Sequence, residues 1–193
     1  MSPRDKILQA VRQNKPALTA LPAIPASNTF ADRVVERFTE ILTTIGGQVV
    51  PVPDLNGVAA YIRSHYPAHR VITTLPELAE VAEVQWQDTS PHQLADVEFA
   101  VLNVHFGVAE NGAVWITDPL MMHRASPFIC QHLGVVLSAG QIVPTMHEAY
   151  ARIGSADYGF GLFIAGPSKT ADIEQSLVLG AHGPKTMTVF LVD

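Results

Sequence analysis

The sequence predicts an α/β fold: an open, mostly parallel sheet with one antiparallel hairpin and an N-terminal helical arm. Short apolar runs alternate with helix-patterned segments along the chain, as in Val49-Val50-Pro51-Val52, then 54–65, then Val71-Ile72-Thr73. The pair Asn111-Gly112 lies between the apolar stretches Glu98–Val104 and Ala113–Thr117, which is the turn chemistry of a hairpin. Near the C-terminus the chain leaves Phe160, Leu162, Phe163 and Ile164 through Gly166-Pro167. It then enters a helix-like stretch, exits at Gly180 and Gly183, and returns to Val189-Phe190-Leu191-Val192. That order is the strand–loop–helix–strand unit of an open sheet.

The elements follow in order. Ser2 caps a short helix with Pro3 in its first turn and Ile7, Leu8 and Val11 on one face. Pro16, Pro22 and Pro25 then make residues 15–27 an extended linker. The expected division is therefore 1–27 as helix and linker and 28–193 as the main domain. Phe30, Val34, Phe38, Ile41, Leu42 and Ile45 keep helical spacing, and Gly46-Gly47 ends that helix. Asp54 caps the helix over 54–65. Residues 75–95 show no clear period. Further helices are expected over 124–132 and 145–153, with Val135-Val136-Leu137 as a strand between them.

Composition narrows the function. Apolar residues make up 48% of the 193, enough for one sizeable core. The net charge is −6 and the basic residues do not cluster, which argues against nucleic acid as a partner. No apolar run reaches the ~18 residues of a membrane span, so no membrane insertion is expected. The opening residues have no apolar signal core, and the expected location is the cytoplasm. Cys130 is the only cysteine, so one chain can supply neither a disulfide nor a cysteine-ligated iron–sulfur cluster. It lies in an apolar stretch and reads as a small buried hydrophobe.

Several motifs fail on inspection. Gly161 and Gly166 have P-loop spacing, yet Pro167 stands where lysine is needed. No dinucleotide fingerprint follows Gly159-Phe160-Gly161, so no nicotinamide or flavin cofactor is expected. His147-Glu148 begins like a zinc-protease helix, but Ala151 replaces the second histidine. Pro67 separates His65 from His69, and no metal site is expected.

Two groups of residues remain as candidates. In the first, Glu110 sits in a loop bounded by Gly107 and Gly112, where a ligand could approach the backbone closely. Glu110 would be nucleophile or general base, Asn111 a hydrogen-bond donor to an oxyanion, and His123 and Asp118 its partners across the hairpin. Arg124 would anchor a carboxylate or phosphate. In the second, Gly166, Ser168, Lys169 and Thr170 open the helix-like stretch, where free N–H groups and a lysine favour an anion. His182 in the following turn could join them. For each group a purely structural reading stays open: an exposed turn acid, and a capped helix start with a solvated lysine.

Residues 107–112 with the following strand, 166–179 and 180–193 together resemble the LUD (lactate-utilisation) domain, and the C-terminal stretch is its most specific part. The resemblance implies a fold like that of glucosamine-6-phosphate isomerase, ribose-5-phosphate isomerase and the CoA transferases. It implies a non-redox place in a cytoplasmic L-lactate oxidation system whose companion subunits carry the iron–sulfur chemistry. The chain would bind an anionic small molecule or assemble those iron–sulfur partner subunits. Ala109-Glu110-Asn111-Gly112 is also similar to the Ser-Glu-Asn-Gly segment of CoA transferases, whose glutamate forms an acyl intermediate. A stand-alone transferase or sugar-phosphate isomerase using Glu110 is therefore the alternative.

Overall fold

Ser2 and Asp5 cap each other at the start of α1 (Pro3–Gln13), and no side chain of α1 is buried. Its Ile7 and Val11 stand in solvent. The computed structural model describes residues 2–20, 22, 33–86, 88–170 and 178–193. Phe30, named above as part of the second helix, lies outside them.

α2 (Val34–Thr44) buries Phe38 and Leu42 fully and stops at Gly46, whose φ of +92° suits only glycine. β1 (Gln48–Val52) follows, then α3 (Leu55–His65), where Asp54 accepts hydrogen bonds from the N–H groups of Asn56 and Gly57. Next come β2 (Val71–Thr73), β3 (Phe99–Asn103), β4 (Phe106–Val108) and β5 (Ala113–Thr117). The short helices α4 (Asp118–Met121) and α5 (Ser126–Ile129) lead to β6 (His132–Ser138). After β7 (Ile142–Val143) and α6 (Met146–Ile153) the chain ends with β8 (Gly161–Ile164), β9 (Lys169–Thr170), β10 (Val178–Leu179) and β11 (Thr186–Val192).

Two sheets carry the fold. The first has the order β1-β11-β6-β3-β2 and is parallel throughout. Its alternating side chains serve two cores. Phe99, Val101, Val136 and Phe190 point toward Val58 and Ile62 of α3. Ala100, Leu102, Leu133, Val135, Leu137, Val189 and Leu191 face Phe38, Leu42, Val114 and Ile116. The second sheet, β7-β4-β5-β8, is mixed: β4 pairs β7 in parallel and β5 in antiparallel, and β5 pairs β8 in antiparallel. Its other face, through Phe106, Val108 and Trp115, packs on Ala149 and Ile153 of α6.

Four expectations need correction. The hairpin exists, but its first arm is β4 rather than 98–104; β3 belongs to the parallel sheet, where burial on both faces favours its continuous apolar run. The C-terminal unit is not a crossover within one sheet, because β8 pairs β5 while β11 sits between β1 and β6. Lys169-Thr170 is not a helix start either: β9 pairs antiparallel with β10. Residues 171–177 lie outside those described. The helix expected over 124–132 shortens to Ser126–Ile129, since the chain must already be extended at His132 to enter β6.

Candidate functional site

The β4–β5 hairpin, the end of α6 and the loop into β8 line an open cavity of about 360 Å³. This is large enough for a small metabolite. The backbone N–H of His105 donates to the Trp115 carbonyl at 2.9 Å, which fixes the residue beside β5. Its Nε2 then lies 2.7 Å from Oγ1 of Thr117, a buried threonine at the end of β5. Ala149 and Ile153 bind α6 to the sheet, and Arg152 extends from the exposed side of the same turn. The Arg152 guanidinium lies 4.9 Å from the centre of the Phe106 ring, and its Nη2 donates to Gln141 Oε1. Tyr158 packs edge-on against Trp115, with ring centres 5.3 Å apart. Gly161 makes room for the indole: a Cβ there would stand 2.6 Å from Trp115 Cη2. Asp157 and Pro119 complete the lip.

Partial burial, and then the charge of Arg152, hold His105 below its ordinary pKa of 6.5. At neutral pH the ring is uncharged and offers one N–H and one lone pair. His132 is also held low, chiefly by burial, although Glu98 at 3.5 Å pulls the other way. Both rings bind protons less readily in the folded chain than in the unfolded one. Stability should therefore be unaffected by these two groups well above pH 6.5 and should decline as pH falls through that value. Urea midpoints between pH 8 and pH 5 check this, and replacing both histidines with glutamine should flatten that part of the profile.

Glu110 lies at the opposite end of β5 from this cavity, five strand residues or roughly 15 Å away. The expected convergence of Asp118 and His123 on Glu110 does not occur, because the hairpin strand that separates them is extended. Glu110 Oε2 instead accepts the N–H of Met146 at 2.7 Å, at the start of α6, and its own N–H donates to the Pro144 carbonyl. Asn111 Oδ1 accepts from the N–H of Ala113. Neither glycine opens toward solvent. A Cβ on Gly107 would stand 2.9 Å from Leu137 Cδ2 and 3.1 Å from Phe38 Cε2, and one on Gly112 would stand 3.0 Å from the backbone of Leu42. They let the hairpin sit against α2 and β6.

Asp118 lies in the chain between Thr117 and Pro119, which both line the cavity. It binds Arg124 through two hydrogen bonds, of 2.8 and 2.5 Å, and Arg124 stacks over Phe160 at 4.9 Å. That pairing holds the Asp118 carboxyl below its usual range and engages the guanidinium expected to anchor a ligand. His123 Nδ1 accepts the N–H of Ala125.

Gly166, Ser168, Lys169 and His182 gather elsewhere, at the amino end of the parallel sheet. Gly166 packs on Ile45, Gly183 lies against Ser168, and the Ser168 N–H donates to the Pro184 carbonyl at 2.9 Å. Thr170 pairs with Val178. The helix N-terminus that would have offered free N–H groups is absent from 168–170, and the Ser168 N–H is already bonded.

His105, Thr117, Arg152 and Tyr158 were not among the candidates from sequence. They come from four separate segments, and no local motif links them. Among the described residues no group of three or more histidine, cysteine, aspartate or glutamate side chains could hold a metal. Nor is any described helix long and apolar enough to cross a membrane. Cys130 is 2% exposed, and burial pushes its thiol up to about 12. Iodoacetamide at pH 8 should leave it unmodified in the folded protein and alkylate it after denaturation, which intact-mass measurement reads directly.

The LUD domain profile matches residues 87–192. A lactate utilization protein C from Geobacillus kaustophilus is 30% identical over 76% of this chain and 63% of its own length. Another, from Bacillus pumilus, is 31% identical over 49% of this chain and 42% of its own. A third, from a Geobacillus species, is 26% identical over 98% of this chain and 79% of its own. The chain thus spans less than two thirds of the first two relatives. A crystal structure of a DUF162-family protein from Deinococcus radiodurans covers 86% of this chain and all of its own, with a TM-score of 0.64 and 17% identity, a likeness of fold. Since the matched segment takes in more than half of the chain, including the hairpin, the three interior strands β3, β6 and β11 of the parallel sheet and the whole of the cavity wall, the protein belongs to the LUD domain family.

Proposed function

We propose that this chain is a non-redox component of a cytoplasmic system that oxidises L-lactate to pyruvate, binding an anionic small molecule and working beside iron–sulfur subunits. The observation that carries the reading is the match to three relatives that are each named lactate utilization protein C. The donor set supports the non-redox part: a lone buried cysteine with a raised pKa is a poor ligand for a cluster. The cavity beside Arg152 supports the anion. The N-terminal helix, which buries nothing, fits an arm of residues 1–27 that reaches a partner of this system.

The alternative enzyme, a CoA transferase or sugar-phosphate isomerase using Glu110, requires a carboxylate free to attack. Here one oxygen of that carboxylate accepts the Met146 N–H, and neither Asp118 nor His123 stands beside it as a partner. The test is genetic. A strain lacking this chain should lose growth on L-lactate and keep growth on pyruvate, and the intact gene should restore it. Undiminished growth on lactate would remove the reading.

A further inference from the structure

The cavity beside β5 has one guanidinium, one hydroxyl–imidazole pair, one carboxylate at its lip and aromatic walls. We propose that it binds a short monocarboxylate carrying oxygen on its α-carbon, with Arg152 on the carboxylate and His105 and Thr117 on the α-oxygen. This rests on the function proposed above and adds the site and the ligand class.

Charge decides the class. Among the described residues Arg152 is the only cation lining the cavity when His105 is neutral, and Asp157 lines it as well. The neighbouring Arg124 is engaged by Asp118. A single negative charge meets the guanidinium, which pairs with a planar carboxylate through parallel hydrogen bonds. A phosphate dianion or the polyphosphate of CoA would bring further charge against Asp157 with no second cation to meet it.

Preorganisation decides the orientation. Gln141 and the Phe106 ring hold the guanidinium, so little is lost in fixing it on a ligand. Thr117 is 4% exposed and its hydroxyl is held by His105, so the pair keeps its geometry. A neutral imidazole with a hydroxyl neighbour can donate to a keto oxygen or accept from a hydroxyl. Trp115, Phe106 and Tyr158 form an apolar wall suited to a short alkyl group. About 360 Å³ exceeds the needs of a three-carbon acid alone, and water or a somewhat longer side chain fits the remainder.

The test is calorimetric titration of the whole chain with L-lactate, pyruvate, inorganic phosphate and CoA. Lactate or pyruvate should bind saturably, and phosphate and CoA should bind more weakly or not at all. Arg152→Gln should weaken the monocarboxylate at least tenfold, Arg152→Lys should recover part of that loss, and Lys169→Ala should change nothing. Arg152 is exposed, so its variants should melt like the wild type, and melting curves check that they fold. No saturable binding of either acid, equal binding by Arg152→Gln, or loss only in Lys169→Ala would each overturn the assignment. Growth separates the two claims. A chain required on lactate that binds no monocarboxylate leaves the function standing without this site. Binding by a chain dispensable on lactate leaves the site standing without that function.

Discussion

Replacing Trp86 with alanine should cost the fold about 3–5 kcal/mol, the range for deleting a fully buried large aromatic. Trp86 is 1% exposed and packs in the main core with Ile72, Leu94 and Val97. Its indole N–H donates to the Thr73 carbonyl at 2.9 Å, at the end of β2. The segment it anchors has little regular structure: two short 3₁₀ turns, Pro76–Leu78 and Pro91–Leu94, and one bridge from Ile72 to Glu83. Backbone bonds from Glu83 to Val71 and Thr73 make this segment an edge on β2. Without the indole the edge loses its fastening and the carbonyl its partner. Urea unfolding should show a lower midpoint with little change in slope. Trp86→Phe should recover most of the loss, since it keeps the ring and forgoes the hydrogen bond.

Gly112→Val should destabilise the chain by roughly 2–5 kcal/mol, combining left-handed backbone strain of ~1–2 with overpacking of ~1–3 kcal/mol. Gly112 has a φ of +69°, and a Cβ would meet the Leu42 nitrogen and Cα at 3.0 Å. Backbone atoms of a helix packed through Phe38 and Leu42 cannot move aside as a flexible side chain can. The same glycine read as ligand access would predict altered binding in a chain of unchanged stability, so a melting curve separates the two roles.

Local chemistry made much of the fold legible. The period of α2, the aspartate cap of α3, the Asn-Gly turn and the apolar strands β1, β2, β5, β6 and β11 all follow from neighbours in sequence. The failures have a common cause. Which strands pair depends on contacts far along the chain, so nothing local separates β3 from the hairpin or sends β8 to a different sheet from β11. Lys169-Thr170 has the residues of a helix start, yet the Ser168 N–H finds Pro184 and the strand pair forms instead.

The site was least legible. Glycines around Glu110 suggested access, and only the packing shows Phe38, Leu42 and Leu137 filling that space. His105 and Arg152 lie far apart in sequence, and the cavity between them exists only because α6 folds back over the hairpin. Asp118 was expected beside Glu110 and Arg124 on a ligand; the two bind each other instead, which leaves Arg152 as the cation lining the cavity.

The central claim is that small-molecule chemistry in this chain sits beside β5 and not at the Glu110 turn or the 166–170 segment. Nuclear magnetic resonance of the isotope-labelled protein, titrated with L-lactate, tests it most directly. The account predicts saturating shifts at the Trp115 indole N–H, the His105 ring and the Arg152 side chain, with Glu110, Ser168, Lys169 and His182 unmoved. Shifts centred on Ser168–Thr170 and His182, or on Glu110 and Asn111, with a silent Trp115 would contradict it.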